Sequence, residues 1–186
     1  MNLENIESLV GKVPDYPKKG ILFYDISPLL HNSEGFSSTV RLLAEKVKNY
    51  DFECIAAIDA RGFIFGSALS NILNLGITLI RKKNKLPGKT IEQEYELEYG
   101  TDCLEIKPEL SKCKFLLVDD LLATGGTAAA ACKLIEKAGG SVECFLTLIE
   151  LKFLSGKKLI KVPHETLIKY WNDSRSQIIF EMVIKV

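Results

Sequence analysis

The sequence predicts an α/β fold: a mostly parallel central sheet flanked by helices, with an antiparallel ribbon protruding from it. Three observations carry this. Short, almost wholly apolar runs alternate with amphipathic helical stretches, the rhythm of strands buried on both faces beneath crossover helices. One segment, starting at Ile91, breaks that rhythm with a strict alternation of apolar and acidic residues, the pattern of a half-exposed strand. The 186 residues show no internal repeat or low-complexity linker, a length that fits a single domain, 1–186, burying about 70% of its unfolded surface.

Taken in order, Phe36, Val40, Leu43 and Val47 follow helical spacing, with serines near the start as expected caps. Glu53–Asp59 is a nearly all-apolar strand candidate. The turn Ala60-Arg61-Gly62-Phe63 leads into a second helical stretch from about Ile64 to Leu75, which Gly76 is expected to stop. Ile77–Ile80 is the next apolar strand. A basic loop, Arg81-Lys82-Lys83-Asn84-Lys85, then precedes the ribbon, in which IEQEYELEY sets Ile91, Gln93, Tyr95, Leu97 and Tyr99 opposite four glutamates. Tyr99–Asp102 signals the turn, and Leu104 and Ile106 continue the alternation. Phe115–Asp119, a helix over Thr127–Ala138 stopped by Gly139-Gly140, and the apolar run Val142–Leu151 complete the pattern.

Composition narrows the function classes. Lys plus Arg equals Asp plus Glu at 24 each, 47% of residues are apolar, and no basic block stands out. Duplex binding rests on neutralising phosphates, so this balance argues against nucleic acid as a partner. The five cysteines, Cys54, Cys103, Cys113, Cys132 and Cys144, are odd in number and form no CxxC pair. That speaks against a zinc site or a disulfide framework, and Cys54, Cys132 and Cys144 read as core filler. The first dozen residues lack the apolar stretch of a secretory leader, and no window reaches membrane-spanning length. The expectation is a reduced, cytoplasmic domain with no membrane partner.

The chemistry concentrates in FLLVDDLLATGGTAAAA. Ligands of parallel α/β sheets bind beyond the carboxyl ends of strands, which is where Asp119 and Asp120 fall. Ala123-Thr124-Gly125-Gly126-Thr127 then leads into four alanines, strong helix formers. Amides at a helix start lack partners and carry the positive end of the helix dipole, so they attract an anion. Glycines admit the anion closely, and Thr124 and Thr127 add hydroxyl donors. No lysine follows the glycines and the GxGxxG spacing is missing, so neither a Walker A loop nor a dinucleotide turn is present. Ionised carboxylates accept the hydrogen bonds that a sugar diol donates. The reading is a ribose 5-phosphate site, although the acids could also hold a cation beside a diphosphate or offset charge at an anomeric carbon. The bland alternative is a solvated turn with an aspartate cap.

LLVDDLLATGGT resembles the phosphoribosyl diphosphate signature of the type I phosphoribosyltransferases. VPDYPKKGILFYDISPLL, AIDARGFIFGSALS, LIRKKNKLPG and YELEYGTDCLEI are similar to segments of the adenine-using members of that family, over roughly residues 10 to 170. The resemblance implies the type I phosphoribosyltransferase fold, with residues 1–35 as a base-binding hood and 81–107 as a flexible lid ribbon. It implies transfer of the phosphoribosyl group from phosphoribosyl diphosphate to adenine, giving AMP and diphosphate, with magnesium carried by the substrate and no direct protein ligand for the metal. A homodimer is expected on the same ground.

By position, the resemblance assigns Ala123–Thr127 to the 5-phosphate and Asp119 and Asp120 to the ribose. Arg61, Arg81, Lys82, Lys85 and Tyr99 go to the diphosphate, and Glu98 to the proton at the purine ring. Leu22, Phe23, Tyr24 and Leu151 form the adenine site, Phe23 stacking on the ring while main-chain groups of Leu22 and Tyr24 read its edge. By residue type alone, Arg61 is either a surface arginine or an anion ligand, and its place beside Gly62 at a strand end favours the anion. Lys82 fits a solvated loop as well, Glu98 is one of four glutamates on one ribbon face, and Phe23 suits core packing. Tyr24 stands where the family commonly has arginine, which a main-chain reading tolerates. Trp171–Val186 extends past the family's usual end and receives no role. Two other readings are a transferase for hypoxanthine, guanine or xanthine, against which Val13–Leu30 speaks, and a non-catalytic regulator that binds phosphoribosyl diphosphate. The regulator calls for a DNA-binding module and a basic face, and neither is visible.

Overall fold

The computed structural model describes residues 1–97 and 100–171. Helix α1 (Leu3–Ser8) is followed by a hairpin of short strands, β1 (Gly11–Pro14) and β2 (Leu22–Asp25), that form a separate two-stranded antiparallel sheet. Neither strand was read from the sequence, because four residues interrupted by prolines, lysines and glycine carry no period. After α2 (Ser27–His31) comes α3 (Ser33–Val47). Its cap is Asn32 rather than a serine: the Asn32 side-chain oxygen accepts from the Gly35 amide at 2.8 Å, the strongest type of N-cap.

β3 (Cys54–Ile58), α4 (Gly62–Leu73) and β4 (Gly76–Lys82) form the first βαβ unit. The helix ends at Asn74, whose φ of 53° is left-handed, so Asn74 and not Gly76 is the stop. β5 (Ile91–Leu97) and β6 (Gly100–Ile106) are the ribbon. β7 (Lys114–Leu122), α5 (Gly126–Lys137) and β8 (Ser141–Leu151) form the second unit, and β9 (His164–Tyr170) closes the sheet after two 3-10 turns, Lys152–Leu154 and Gly156–Leu159.

The seven strands run in the order β5-β6-β4-β3-β7-β8-β9. The pairs from β4 through β9 are parallel, and β6 runs antiparallel to both β4 and β5. The ribbon is therefore continuous with the sheet's edge, joined through Arg81–Glu105 and Lys82–Leu104, and β5 lies against α5. Each face of the sheet has its own core. Ile55, Phe65, Leu69, Leu116 and Leu146 pack beneath α3, α4 and the hairpin. Ala56, Ile58, Leu117, Phe145 and the α5 residues Ala131, Leu134 and Ile135 pack on the other side. Gly66 is required at the first of these: a methyl there would come within 2.6 Å of Ala57 Cβ. All five cysteines are free, and Cys132 and Cys144 are buried. No helix among the described residues is long and apolar enough to cross a membrane.

Candidate active site

β7 continues through both acids to Leu122. The period of a strand then sends adjacent side chains to opposite faces, so Asp119 and Asp120 part company. Asp119 lines a small hollow of about 90 Å³ together with Leu121–Ala128, which includes Ala123, Thr124, Gly125, Gly126 and Thr127. Asp120 turns toward α4, where Arg61 Nε lies 2.9 Å from its Oδ2. The sequence reading had put both acids on one ligand; the structure brings only Asp119 to the hollow.

The hollow is built from backbone. Gly125 precedes α5 with φ 87°, a left-handed conformation that costs a glycine nothing. The next amides open the helix, and Ala129 is the first of them to find an intrahelical partner, the Gly125 carbonyl at 2.9 Å. The segment after β8 supports this loop from below: a methyl on Gly125 would collide with the Gly156 carbonyl, and one on Gly156 with the Ala123 carbonyl. Gly62 is constrained in the same way, since a methyl there would lie 2.8 Å from the Val118 carbonyl. That close approach lets Arg61 reach Asp120.

Burial and the neighbouring Asp120 carboxyl push Asp119 well above the ordinary carboxylate range. Burial raises Asp120 as well, and the Arg61 guanidinium opposes it. Asp119 also accepts from the Asp120 amide at 2.9 Å. A cation or a set of hydroxyl donors arriving at Asp119 would relieve its desolvation.

A second, larger cleft of about 490 Å³ opens between the hairpin, α2 and the start of α4, lined by Val13, Tyr16, Phe23, Asp25, Arg61 and Ile64 among others. Phe23 and Asp25 share the cleft face of β2. Tyr16 meets Phe23 edge-on at 5.2 Å, and the Arg61 guanidinium lies 5.6 Å from the Phe23 ring centre. Asp25 is held below the usual range by hydrogen bonds from the Ser27 hydroxyl, at 2.6 Å, and the Ser27 amide. The acid pair joins the two hollows, Asp119 in the smaller and Asp120 gripping Arg61 at the wall of the larger.

Leu22 and Tyr24 point the other way, into the core, where Tyr24 stacks on Tyr170 at 4.4 Å. Neither is among the cleft's lining residues. Leu151 is buried in the same core and is not among the cleft's lining residues, because it ends β8 opposite Tyr170. Tyr16 and Asp25 were missed; strand alternation from Phe23 was the available signal for Asp25.

Of the basic residues, Arg81 Nε lies 2.8 Å from Asp59 Oδ2, beside the cis Asp59–Ala60 peptide that leads to Arg61. Lys82 Nζ lies 3.8 Å from Asp102 Oδ2 on the ribbon. Lys85 is exposed, and its loop is fixed by the Lys85 and Leu86 amides, both donating to the buried Glu105 carboxylate at 2.7 and 2.6 Å. Glu98 and Tyr99, and the tail beyond Trp171, lie outside the described residues.

A strand-end loop that bares helix amides beside an aspartate thus lies next to a cleft walled by an aromatic ring and an arginine. The chain belongs to the phosphoribosyl transferase domain family, whose model matches residues 26–162. Within that family it stands among the adenine phosphoribosyltransferases. It is 48% identical to that of Thermoanaerobacter sp. (strain X514) over 160 residues, 85% of this chain and 92% of the relative. The crystal structure of adenine phosphoribosyltransferase from Thermoanaerobacter pseudethanolicus ATCC 33223 matches with a TM-score of 0.88 at 44% identity, over 91% of this chain and 100% of that one. The Saccharomyces cerevisiae structure, complexed with adenine and an imino-altritol bisphosphate, matches at 0.82 and 33% identity, over 89% of this chain and 97% of that one.

Proposed function

We infer that the chain transfers the 5-phosphoribosyl group from phosphoribosyl diphosphate to adenine, giving AMP and diphosphate. The observation that carries this is the pairing of an amide-lined hollow at Ala123–Thr127 with an aromatic cleft at Phe23, joined through Asp119, Asp120 and Arg61. The family's adenine-using members are similar to the chain over most of its length.

In this reading the open amides of Gly126–Ala128 and the threonine hydroxyls hold the 5-phosphate, and Asp119 takes the ribose diol. Arg61 reaches the diphosphate, with Arg81, Lys82, Lys85 and Tyr99 completing a cationic, hydrogen-bonding wall. The bond from the anomeric carbon to diphosphate breaks as the bond to the purine nitrogen forms, and Glu98 receives the proton that nitrogen sheds. Preorganised donors on the departing phosphates and positioning of the base supply the rate. Phe23 stacks on the purine while the main chain of Leu22 and Tyr24 reads its edge. A backbone carbonyl facing the exocyclic amine would meet an oxygen in hypoxanthine, leaving a buried polar group unpaired, which discriminates strongly.

Magnesium belongs to this reading as the donor's counter-ion. The ion keeps several waters and would bind through the donor's phosphates, with no side chain of this chain as a direct ligand. When bound, it neutralises the leaving diphosphate. A cytoplasmic homodimer completes the proposal, supported by the family resemblance.

The test is incubation with phosphoribosyl diphosphate, magnesium and each purine base in turn, following AMP, IMP, GMP and XMP. AMP from adenine alone is the expected result. No AMP, or faster turnover of hypoxanthine, would overturn the reading.

A further inference from the structure

Glu105 lies near the end of β6 and is 2% exposed. Among the described residues no ion pair reaches its carboxylate. Instead one oxygen, Oε1, accepts from two consecutive amides, Lys85 at 2.7 Å and Leu86 at 2.6 Å. Amides donating to a carboxylate make the stronger class of hydrogen bond, and burial keeps water from competing for them.

The loop so held leaves β4 at its carboxyl end, the end of a parallel sheet where ligands bind. The Asp59 amide donates to the Ile80 carbonyl at 2.9 Å, so the loop starts beside the turn that carries Arg61. Its course is then fixed step by step. The Lys83 amide donates to the Cys103 carbonyl at 3.0 Å, Asn84 takes a left-handed φ of 64°, and the next two amides close on Glu105. The side chains of this basic run divide differently. Arg81 Nε lies 2.8 Å from Asp59 Oδ2, Lys82 Nζ 3.8 Å from Asp102 Oδ2 and Lys83 Nζ 3.2 Å from Glu92 Oε2. Among the described residues, Lys85 is the one cation of the run with no carboxylate partner, and it is exposed. Its backbone is locked while its ammonium is uncommitted.

We propose that Glu105 is a positioning residue: by holding the Lys85 and Leu86 amides it presents the Lys85 ammonium to the diphosphate of the donor. The proposal rests on the phosphoribosyl transfer above. A lysine on a loose loop gives up backbone as well as rotamer freedom when it meets an anion, whereas on a fixed backbone it gives up only the second. Glu105 is itself buried and acts through Lys85.

The probe is inorganic diphosphate with magnesium, its binding followed by calorimetry. Glu105→Ala leaves both amides without their acceptor, and Kd should rise about three- to ten-fold, the cost of ordering one long side chain and its loop on binding. Hydrogen exchange of the Lys85 and Leu86 amides should quicken on the order of ten-fold, as the loss of a hydrogen bond to a charged group implies, while KM for adenine stays put. Glu105→Gln keeps a carbonyl oxygen where both amides converge and should restore the affinity. Lys85→Ala should weaken binding as Glu105→Ala does, and the double variant no further than Lys85→Ala alone. Additive losses in the double variant overturn the proposal, as does unaltered diphosphate affinity in a folded Glu105→Ala protein, or a loss in Glu105→Gln equal to that in Glu105→Ala. Glu105→Asp, whose carboxylate is withdrawn by one methylene, serves if the alanine variant does not fold: its Kd should rise in the same direction, and wild-type affinity overturns the proposal. If the wild-type chain bound diphosphate yet made no AMP, the functional reading would fall, whereas the binding series would still decide whether Glu105 acts through Lys85.

Discussion

Arg61 Nε lies 2.9 Å from Asp120 Oδ2, and the same guanidinium lines the cleft beside Phe23. Asp120 is 5% exposed and Arg61 more open, so the buried acid sets the direction in which the arginine's charge is presented. Asp120→Asn keeps the shape and removes the charge. We expect turnover to fall on the order of a hundred-fold, the cost of misplacing a charge by about an ångström. The fold should persist by circular dichroism and thermal melting. Wild-type turnover in that variant would show that Asp120 has no part in the reaction.

Phe23→Ala tests the cleft. The loss of a base–aromatic stack is worth about 1–3 kcal/mol, so KM for adenine should rise roughly five- to a hundred-fold. KM for phosphoribosyl diphosphate should change much less, since Phe23 lies outside the phosphate hollow. Equal changes in both constants would mean that Phe23 only supports packing.

Gly125→Ala tests the loop. The position has φ 87°, and a methyl there meets the Gly156 carbonyl. Left-handed backbone in a residue with a side chain costs about 1–3 kcal/mol, so the unfolding midpoint should fall by several degrees in a thermal scan. The donor's KM should rise by about ten-fold as the amides shift. A variant with unaltered donor affinity would place the phosphate elsewhere.

His164 gives a pH dependence. It is buried, stacked on Phe145, with Nε2 at 3.0 Å from Thr147 Oγ1 and Nδ1 at 3.8 Å from Glu150 Oε2. Burial lowers it to about 4, against the pull of Glu150. In the unfolded chain it titrates near 6.5, so between those values the unfolded state binds a proton that the folded state refuses. Stability from this residue is therefore lost as the pH falls through that window. Asp119 and Asp120, raised by burial, act with the opposite sign, and a comparison with His164→Gln cancels them. The stability difference between wild type and variant, from urea unfolding, should shrink by roughly 1–3 kcal/mol from pH 7 to 4.5. A constant difference would mean that His164 is not held neutral.

The phosphate loop was legible because its signal is local: glycine, threonine and alanine within one turn, following an apolar run. The alternating ribbon and the buried strands were legible from their periods. The parting of Asp119 and Asp120 depends on where the strand ends: stopped at Asp119, both acids fall in the turn, whereas carried on through Leu121 and Leu122 the period alone separates the two side chains. Other features are contacts between distant residues and left no local trace. Arg61 meets Asp120 only because Gly62 lets α4 close on β7, and Leu151, paired with Tyr170 at the end of β8, packs into the core. The hairpin is too short to show a period, and Asn32 and Asn74 take the capping roles for which the serines after Phe36 and Gly76 were the candidates in the sequence.

The ring of Tyr24 is turned away from the cleft and rests on Tyr170, so in the proposed transfer that position could meet the ligand only through its peptide groups. A selectivity written in peptide groups is indifferent to which side chain hangs behind them. The residue at this point is thus at liberty to drift, provided its replacement still suits the sheet at its back. If the proposed transfer reads adenine by main chain, base choice follows the hairpin's trace, and altering it calls for bending β2 rather than exchanging letters along it.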